Sequence, residues 1–141
     1  MLLEKIKQEF GCPAQDIRTY SPLTLAFMGD AVFDMVIRTL LVQRANKDNH
    51  LLHKENSHIV RAKTQAQMAE VLWEMLSGEE QAVYRRGRNA KTATSAKNAS
   101  LAEYHKATGM EALLGYLYLT DREDRVLYLI REGLAKLNLT I

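Results

Sequence analysis

The chain has 141 residues and a mass of 16.1 kDa, with 47% hydrophobic and 26% charged residues, two prolines and seven glycines. That is enough apolar chain to bury one core without disulfide or metal staples, and too little low-complexity sequence for a linker, so a single domain over 1–141 is expected. The lone Cys12 cannot form an intrachain bridge, MLLEKIKQEF lacks a small-residue cleavage site, and no run approaches the about 18 apolar residues of a membrane span, so the expectation is a cytoplasmic protein with no membrane partner.

Apolar spacing is helical almost throughout and nowhere alternates for long, which predicts an all-α helical bundle. Leu2, Leu3, Ile6 and Phe10 share one face of a short helix that closes near Gly11 and Pro13. Ser21-Pro22 supplies an N-cap and a first-turn proline for a long helix from about Leu23 to Ala45. The polar NKDNH, Asn46 to His50, reads as a break. Leu51 to Glu55 and then Ile59 to Leu76 resume helical spacing, with Val60, Ala66, Met68, Ala69, Leu72 and Trp73 available to a core and Ser77-Gly78 as the end. Glu79 to Arg86 predicts a short helix running into a basic loop marked by Gly87, Asn89 and small residues. Two final helices are expected over about Leu101 to Leu119 and Arg122 to Leu137, with Thr120 and Glu123 spaced as a capping box between them.

Two carboxylates stand out because each lies in an apolar helical run: Asp30 in LAFMGDAVFDMVIR and Glu111 in TGMEALLGYLYL. Carboxylates are rarely buried unless paired. One reading gives each a basic or hydroxyl neighbour in the core. The other sets them against each other across packed helices, where they stay ionised only with a cation between them, and hard oxygen ligands select Mg²⁺ or Mn²⁺. Gly29, next to Asp30, admits either a substrate backbone or a close helix neighbour. Asp34 and Arg38 follow Asp30 at four-residue steps, most simply as an exposed or partner-facing ion-pair ladder. Phe27, on the apolar stripe with Leu23, fits the core or a pocket in a second subunit equally well.

Net charge is only +2, yet Gln81 to Ala102 has no acid while Arg85, Arg86, Arg88, Lys91 and Lys97 add five positive charges, so the rest of the chain stands at −3. A basic segment on a mildly acidic body is the pattern of a surface that meets a polyanion. Within it, arginines offer bidentate phosphate contact, Gly87 close approach, and Asn89 and the hydroxyls further hydrogen bonds, although a solvated charge run is the plain alternative. RAKTQAQ adds Arg61, Lys63 and Gln65, which extend that footprint if they face the same way and are ordinary helix surface otherwise. His50, His53, His58 and His105 fall in no zinc-binding spacing, and there is no P-loop or dinucleotide fingerprint, so neither zinc nor nucleotide chemistry is expected.

These residues carry a resemblance. LAFMGDAVFDMVIR resembles the signature helix of the ribonuclease III family and EALLGYLYL its second acidic motif, in the same order and at a fitting separation. The match spans nearly the whole chain as one catalytic domain without the double-stranded-RNA-binding domain that usually follows, and with RAKTQAQ and YRRGRNAK it looks like the mini-ribonuclease III branch. The resemblance implies a homodimeric endonuclease that cuts double-stranded RNA with Mg²⁺ to leave 5′-phosphate and 3′-hydroxyl ends. For the mini branch it further implies maturation of precursor 23S ribosomal RNA, with an auxiliary ribosomal protein as a candidate partner. By position, Asp30 and Glu111 match the catalytic, metal-holding acids and Phe27 the aromatic residue of the dimer interface. Larger family members carry two more acids, where this chain has Ala26 and Thr108, so half of the usual carboxylate shell is missing. The basic segment from Arg85 to Lys91 would replace the absent binding domain. A rival of another class is a catalytically silent RNA-binding or ribosome-assembly module, favoured by Ala26 and Thr108 and opposed by the two retained acids. A plain helical dimerisation protein leaves the basic segment unexplained.

Overall fold

In a computed structural model, residues 1–91 and 100–141 are described; Lys97 and the small residues around it lie outside them. Among the described residues there are seven α-helices and no strand: α1 Leu2–Glu9, α2 Pro22–Arg44, α3 Asn49–Val60, α4 Ala62–Leu72, α5 Gly78–Arg88, α6 Leu101–Leu119 and α7 Glu123–Lys136. Helix α6 is the hub, packed against α2, α4, α5 and α7, with α3 laid on α2. It is buried on nearly every side, from Ala107 to Leu117, as expected of a helix without a polar stripe. Phe33 and Ile37 of α2, Met68 and Leu72 of α4, Met110, Leu113, Leu114 and Leu117 of α6, and Leu129 and Ile130 of α7 form the fully buried core.

Sequence cues explain the best-defined boundaries. The Ser21 hydroxyl accepts the Thr24 N–H at 3.1 Å and Pro22 occupies the first turn of α2. Ser77 with Glu80, and Ser100 with Glu103, close capping boxes at the heads of α5 and α6.

Other expectations are corrected. The break after α2 is shorter than NKDNH, because Asp48 caps His50 and starts α3 at Asn49. Helix α3 then runs through Asn56 and Ser57 to Val60, and the chain turns at Arg61, whose extended backbone joins α3 directly to α4. Ser77-Gly78 begins a helix rather than ending one; the preceding helix stops at Leu72, followed by a 3₁₀ turn over Trp73–Met75. The supposed basic loop is helical as far as Arg88. No capping box forms at Thr120 and Glu123. Instead Asp121, at φ 61°, closes α6 with the Arg122 N–H on the Leu117 carbonyl at 2.8 Å and its own N–H on that of Tyr118 at 3.1 Å, while the Thr120 hydroxyl turns back to Tyr116.

Helix α5 is tied to α7 by a buried ion pair. Arg125 donates to both Glu80 oxygens at 2.8 Å and to the Met75 carbonyl at 2.9 Å, and Glu80 is only 3% exposed. Guanidinium bonds hold the Glu80 carboxyl below its usual range against the opposing effect of burial.

The crossing of α2 over α6 is a contact between backbones. A Cβ on Gly29 would overlap the Glu111 carbonyl oxygen and lie 2.8 Å from the Gly115 nitrogen; one on Gly115 would overlap the Leu25 carbonyl oxygen and lie 2.9 Å from the Gly29 nitrogen. Gly29 therefore serves helix packing, not the approach of a substrate. Since neither side of this contact is a movable side chain, Gly115→Ala should lose about 3 kcal/mol or more of folding stability, read as urea midpoint and melting temperature. Gly78→Ala, in open space, should stay within about 1 kcal/mol of wild type on the stabilising side. Equal effects of the two substitutions would contradict the crossing.

Candidate functional site

The glycine crossing decides where the two acids meet. Asp30 follows Gly29 on α2, and Glu111 stands one turn before Gly115 on α6, so the approach of these backbones sets one carboxyl against the other. Asp30 is exposed and Glu111 half-buried. Burial first, then the charge of Asp30 and a hydrogen bond from protonated Glu111 to it, push the Glu111 carboxyl up to about 8; a hydrogen bond from Gln65 pulls the other way. Among the described residues no basic side chain forms an ion pair with either acid. Two carboxyls facing each other without a positive neighbour are held together by a proton or by a cation. Their oxygens, with one side open to solvent at Asp30, suit a hard divalent ion that keeps several other ligands. No group of three or more candidate ligating side chains occurs among the described residues.

The positions where further acids would stand are closed off. Ala26 is buried with Leu25, Val83 and Ala112. Thr108 is buried too, and its hydroxyl donates to the Tyr104 carbonyl at 3.0 Å. Helix α5 seals this side: a Cβ on Gly87 would come within 2.7 Å of the Ala112 Cβ and 2.9 Å of the Gly109 Cα. Gly87, read from the sequence as a point of close approach for a ligand backbone, thus makes room for α6. It also explains why the helix continues through it.

That packing lays the helix of the basic residues along the helix of Glu111. Val83 and Gly87 touch the α6 turns that carry Thr108 and Ala112, on either side of Glu111, so Arg85, Arg86 and Arg88 project from a helix lying directly along the acidic one. Two arginines rest on aromatic faces, Arg85 over Trp73 at 5.0 Å and Arg88 over Tyr84 at 5.7 Å, and the two rings meet edge to face. Arg86 makes no ion pair or aromatic contact among the described residues, and Asn89 and Lys91 are exposed just past the helix end. Arg61 and Lys63 are exposed at the junction of α3 and α4. Gln65, predicted with them as surface, is not there: it is 2% exposed, its Nε2 donates to the Val60 carbonyl at 3.2 Å, and its amide contacts Glu111. The cause is the position of the turn at Arg61, which aims the first turn of α4 inward. Asp34 holds Arg38 at 2.7 Å and also accepts from buried Asn56 at 2.7 Å, anchoring α3 beside the site.

Phe27 is 82% exposed and so belongs to no core within the chain. Elsewhere on α2, Met28, Val32 and Met35 line an apolar groove of about 200 Å³ with Tyr118 and Leu127. The aromatic supports of Arg85 and Arg88 were not anticipated. The four-residue step from Tyr84 to Arg88 was the one local signal for them.

Residues 23–122 match the Ribonuclease III domain family. A protein described as Mini-ribonuclease 3 from Thermoanaerobacter sp. (strain X514) is 45% identical over 79% of this chain and 79% of its own length. Another of that name from Enterococcus faecalis (strain ATCC 700802 / V583) is 41% identical over 89% of this chain and 97% of its own. A crystal structure of a Fusobacterium nucleatum protein superposes with a TM-score of 0.78 at 31% identity, covering 84% of this chain and 96% of that one.

The pair's electrostatics set a pH dependence. Folded Glu111 keeps its proton up to about 8, whereas an unfolded glutamate loses it near 4.5, so folding takes up a proton between those limits. In chelator, stability should therefore fall as pH rises from 4.5 to about 8, by on the order of a few kcal/mol across the window. Glu111→Gln should flatten the fall. A wild-type chain equally stable at both ends would contradict the pairing.

Proposed function

Because the chain belongs to the ribonuclease III family, and is an endoribonuclease, we propose that it cleaves double-stranded RNA at the Asp30 and Glu111 pair with Mg²⁺, leaving 5′-phosphate and 3′-hydroxyl ends. The supporting observation is the pair itself: two carboxyls pressed together by a backbone crossing, with no basic partner among the described residues. Both acids would hold the ion, and their hard oxygens equally accept Mn²⁺. When bound, the ion supplies acidity to an attacking water and neutralises charge on the scissile phosphate and its leaving 3′ oxygen.

The chain's own side chains supply positioning. Asp30, on the open side, faces the phosphodiester, and Glu111 backs it from the interior. The arginines of α5 on one flank, and Arg61 and Lys63 on the other, grip the RNA backbone over the acids, with Asn89 and Lys91 extending the contact. Arginines stacked on Trp73 and Tyr84 lose less freedom on meeting phosphate than free ones would. Selection rests on A-form shape, since the major groove of duplex RNA is too narrow to read. With Ala26 and Thr108 sealed beneath α5, the two carboxylates suit one largely hydrated Mg²⁺ completed by phosphate oxygens.

The exposure of Phe27, a large apolar ring left uncovered by its own chain, supports a homodimer in which this ring enters the partner. Sedimentation reads it directly, and a species of 16.1 kDa at assay concentration would exclude it. The natural substrate in this reading is precursor 23S ribosomal RNA, and an auxiliary ribosomal protein is a candidate partner; both rest on the likeness to mini-ribonuclease III. No helix among the described residues is long and apolar enough to cross a membrane.

Incubation with a long RNA duplex tests the reading. Cleavage should require Mg²⁺, stop in chelator, and fall by at least about 10³-fold in Asp30→Asn while folding and most RNA affinity persist. Cutting by Asp30→Asn at the wild-type rate would refute the site, and a silent RNA-binding module predicts no cutting by the wild type. Replacing Arg85, Arg86 and Arg88 with glutamine should weaken binding and flatten the dependence of log K on log salt by about one unit for each phosphate no longer neutralised. An unchanged slope would remove α5 from the interface.

A further inference from the structure

We propose that Gln65 is a positioning residue: its carboxamide, wedged between the Val60 carbonyl and Glu111, fixes the conformation in which Glu111 meets Asp30, and with it the affinity of the pair for a divalent cation. The inference rests on the reading of Asp30 and Glu111 as the cation-holding pair.

Three observations point to this role. Gln65 is 2% exposed, which strips the carboxamide of water and makes each of its polar atoms dependent on the protein. It nonetheless satisfies only one side. Its Nε2 donates to Val60 at 3.2 Å and its amide contacts Glu111, while its Oε1 is buried with no partner among the described residues. A residue present only for packing would be leucine or methionine, with no oxygen left stranded. The amide is therefore kept for what its donor side does.

That side is well placed to orient a carboxylate. The turn at Arg61 starts α4 so that the side chain of Gln65, in the first helical turn, leans back towards the end of α3. The bond to Val60 fixes one N–H, and the planar amide then fixes the direction of the other. Glu111 has three side-chain torsions and, besides Asp30, no other side chain among the described residues holds its carboxyl through a hydrogen bond. Without Gln65 it could turn from Asp30. Outer-shell donors of this kind orient acids that ligate metals, and their loss typically costs about 10–100-fold in metal affinity.

Gln65→Met keeps length and apolar bulk and removes the amide. Mn²⁺ binding to the RNA-free protein, followed by electron paramagnetic resonance, should weaken by about 10–100-fold. On duplex RNA at fixed Mg²⁺, kcat should fall by a comparable factor and KM change less than about twofold. A packing role would instead lower the melting temperature and leave Mn²⁺ affinity alone, and that result overturns the proposal. If the variant does not fold, the wild type decides: the Gln65 side-chain ¹⁵N–H₂ resonances should shift during Mg²⁺ titration with the midpoint of binding, and resonances that stay still overturn the role. Wild type and Gln65→Met binding Mn²⁺ equally removes Gln65 alone. A wild type that binds none, or an Asp30→Asn protein that binds as well, removes the cation-holding pair along with it.

Discussion

One steric constraint underlies the arrangement: Gly29 and Gly115 let α2 and α6 touch backbone to backbone. Interhelical distance is ordinarily set by side chains, and here there are none at the point of closest approach. The consequence is chemical as well as structural. Asp30 is adjacent to one glycine and Glu111 a turn from the other, so the approach that completes the core also forces two carboxyls together. Burial and the neighbouring Asp30 disfavour a charge on Glu111, which keeps its proton up to about 8.

Helix α5 carries two jobs on one element. Through Val83 and Gly87 it packs against Ala26 and the turns of α6 that carry Thr108 and Ala112. On its other faces it carries Arg85, Arg86 and Arg88. The capping box at Ser77 closes the head of this helix and the Glu80–Arg125 pair ties it to α7, so the arginines stand on an anchored helix.

Much of this was legible in the sequence because its signals are local. Ser21-Pro22 marks the head of α2, and the apolar run of α6 ends where its spacing does, at Leu119. Asp30 and Glu111 stood out because a charge within an apolar run is costly wherever the run packs. What was missed depends on tertiary neighbours. Gly87 looked like a helix breaker, but its contact with α6 offsets the helix cost. Gln65 looked like surface because the turn that aims it inward, at Arg61, contains neither glycine nor proline. At Thr120 the capping-box spacing was present, yet the left-handed Asp121 closed the helix first. Gly115 carried no mark of its own until Gly29 was seen against it.

Anomalous diffraction at the manganese edge from crystals grown with Mn²⁺ tests the central claim most directly. The account predicts a single strong peak between the Asp30 and Glu111 carboxylates, absent from Asp30→Asn crystals grown in the same way. Manganese bound only elsewhere, with those two carboxylates turned apart, would contradict it.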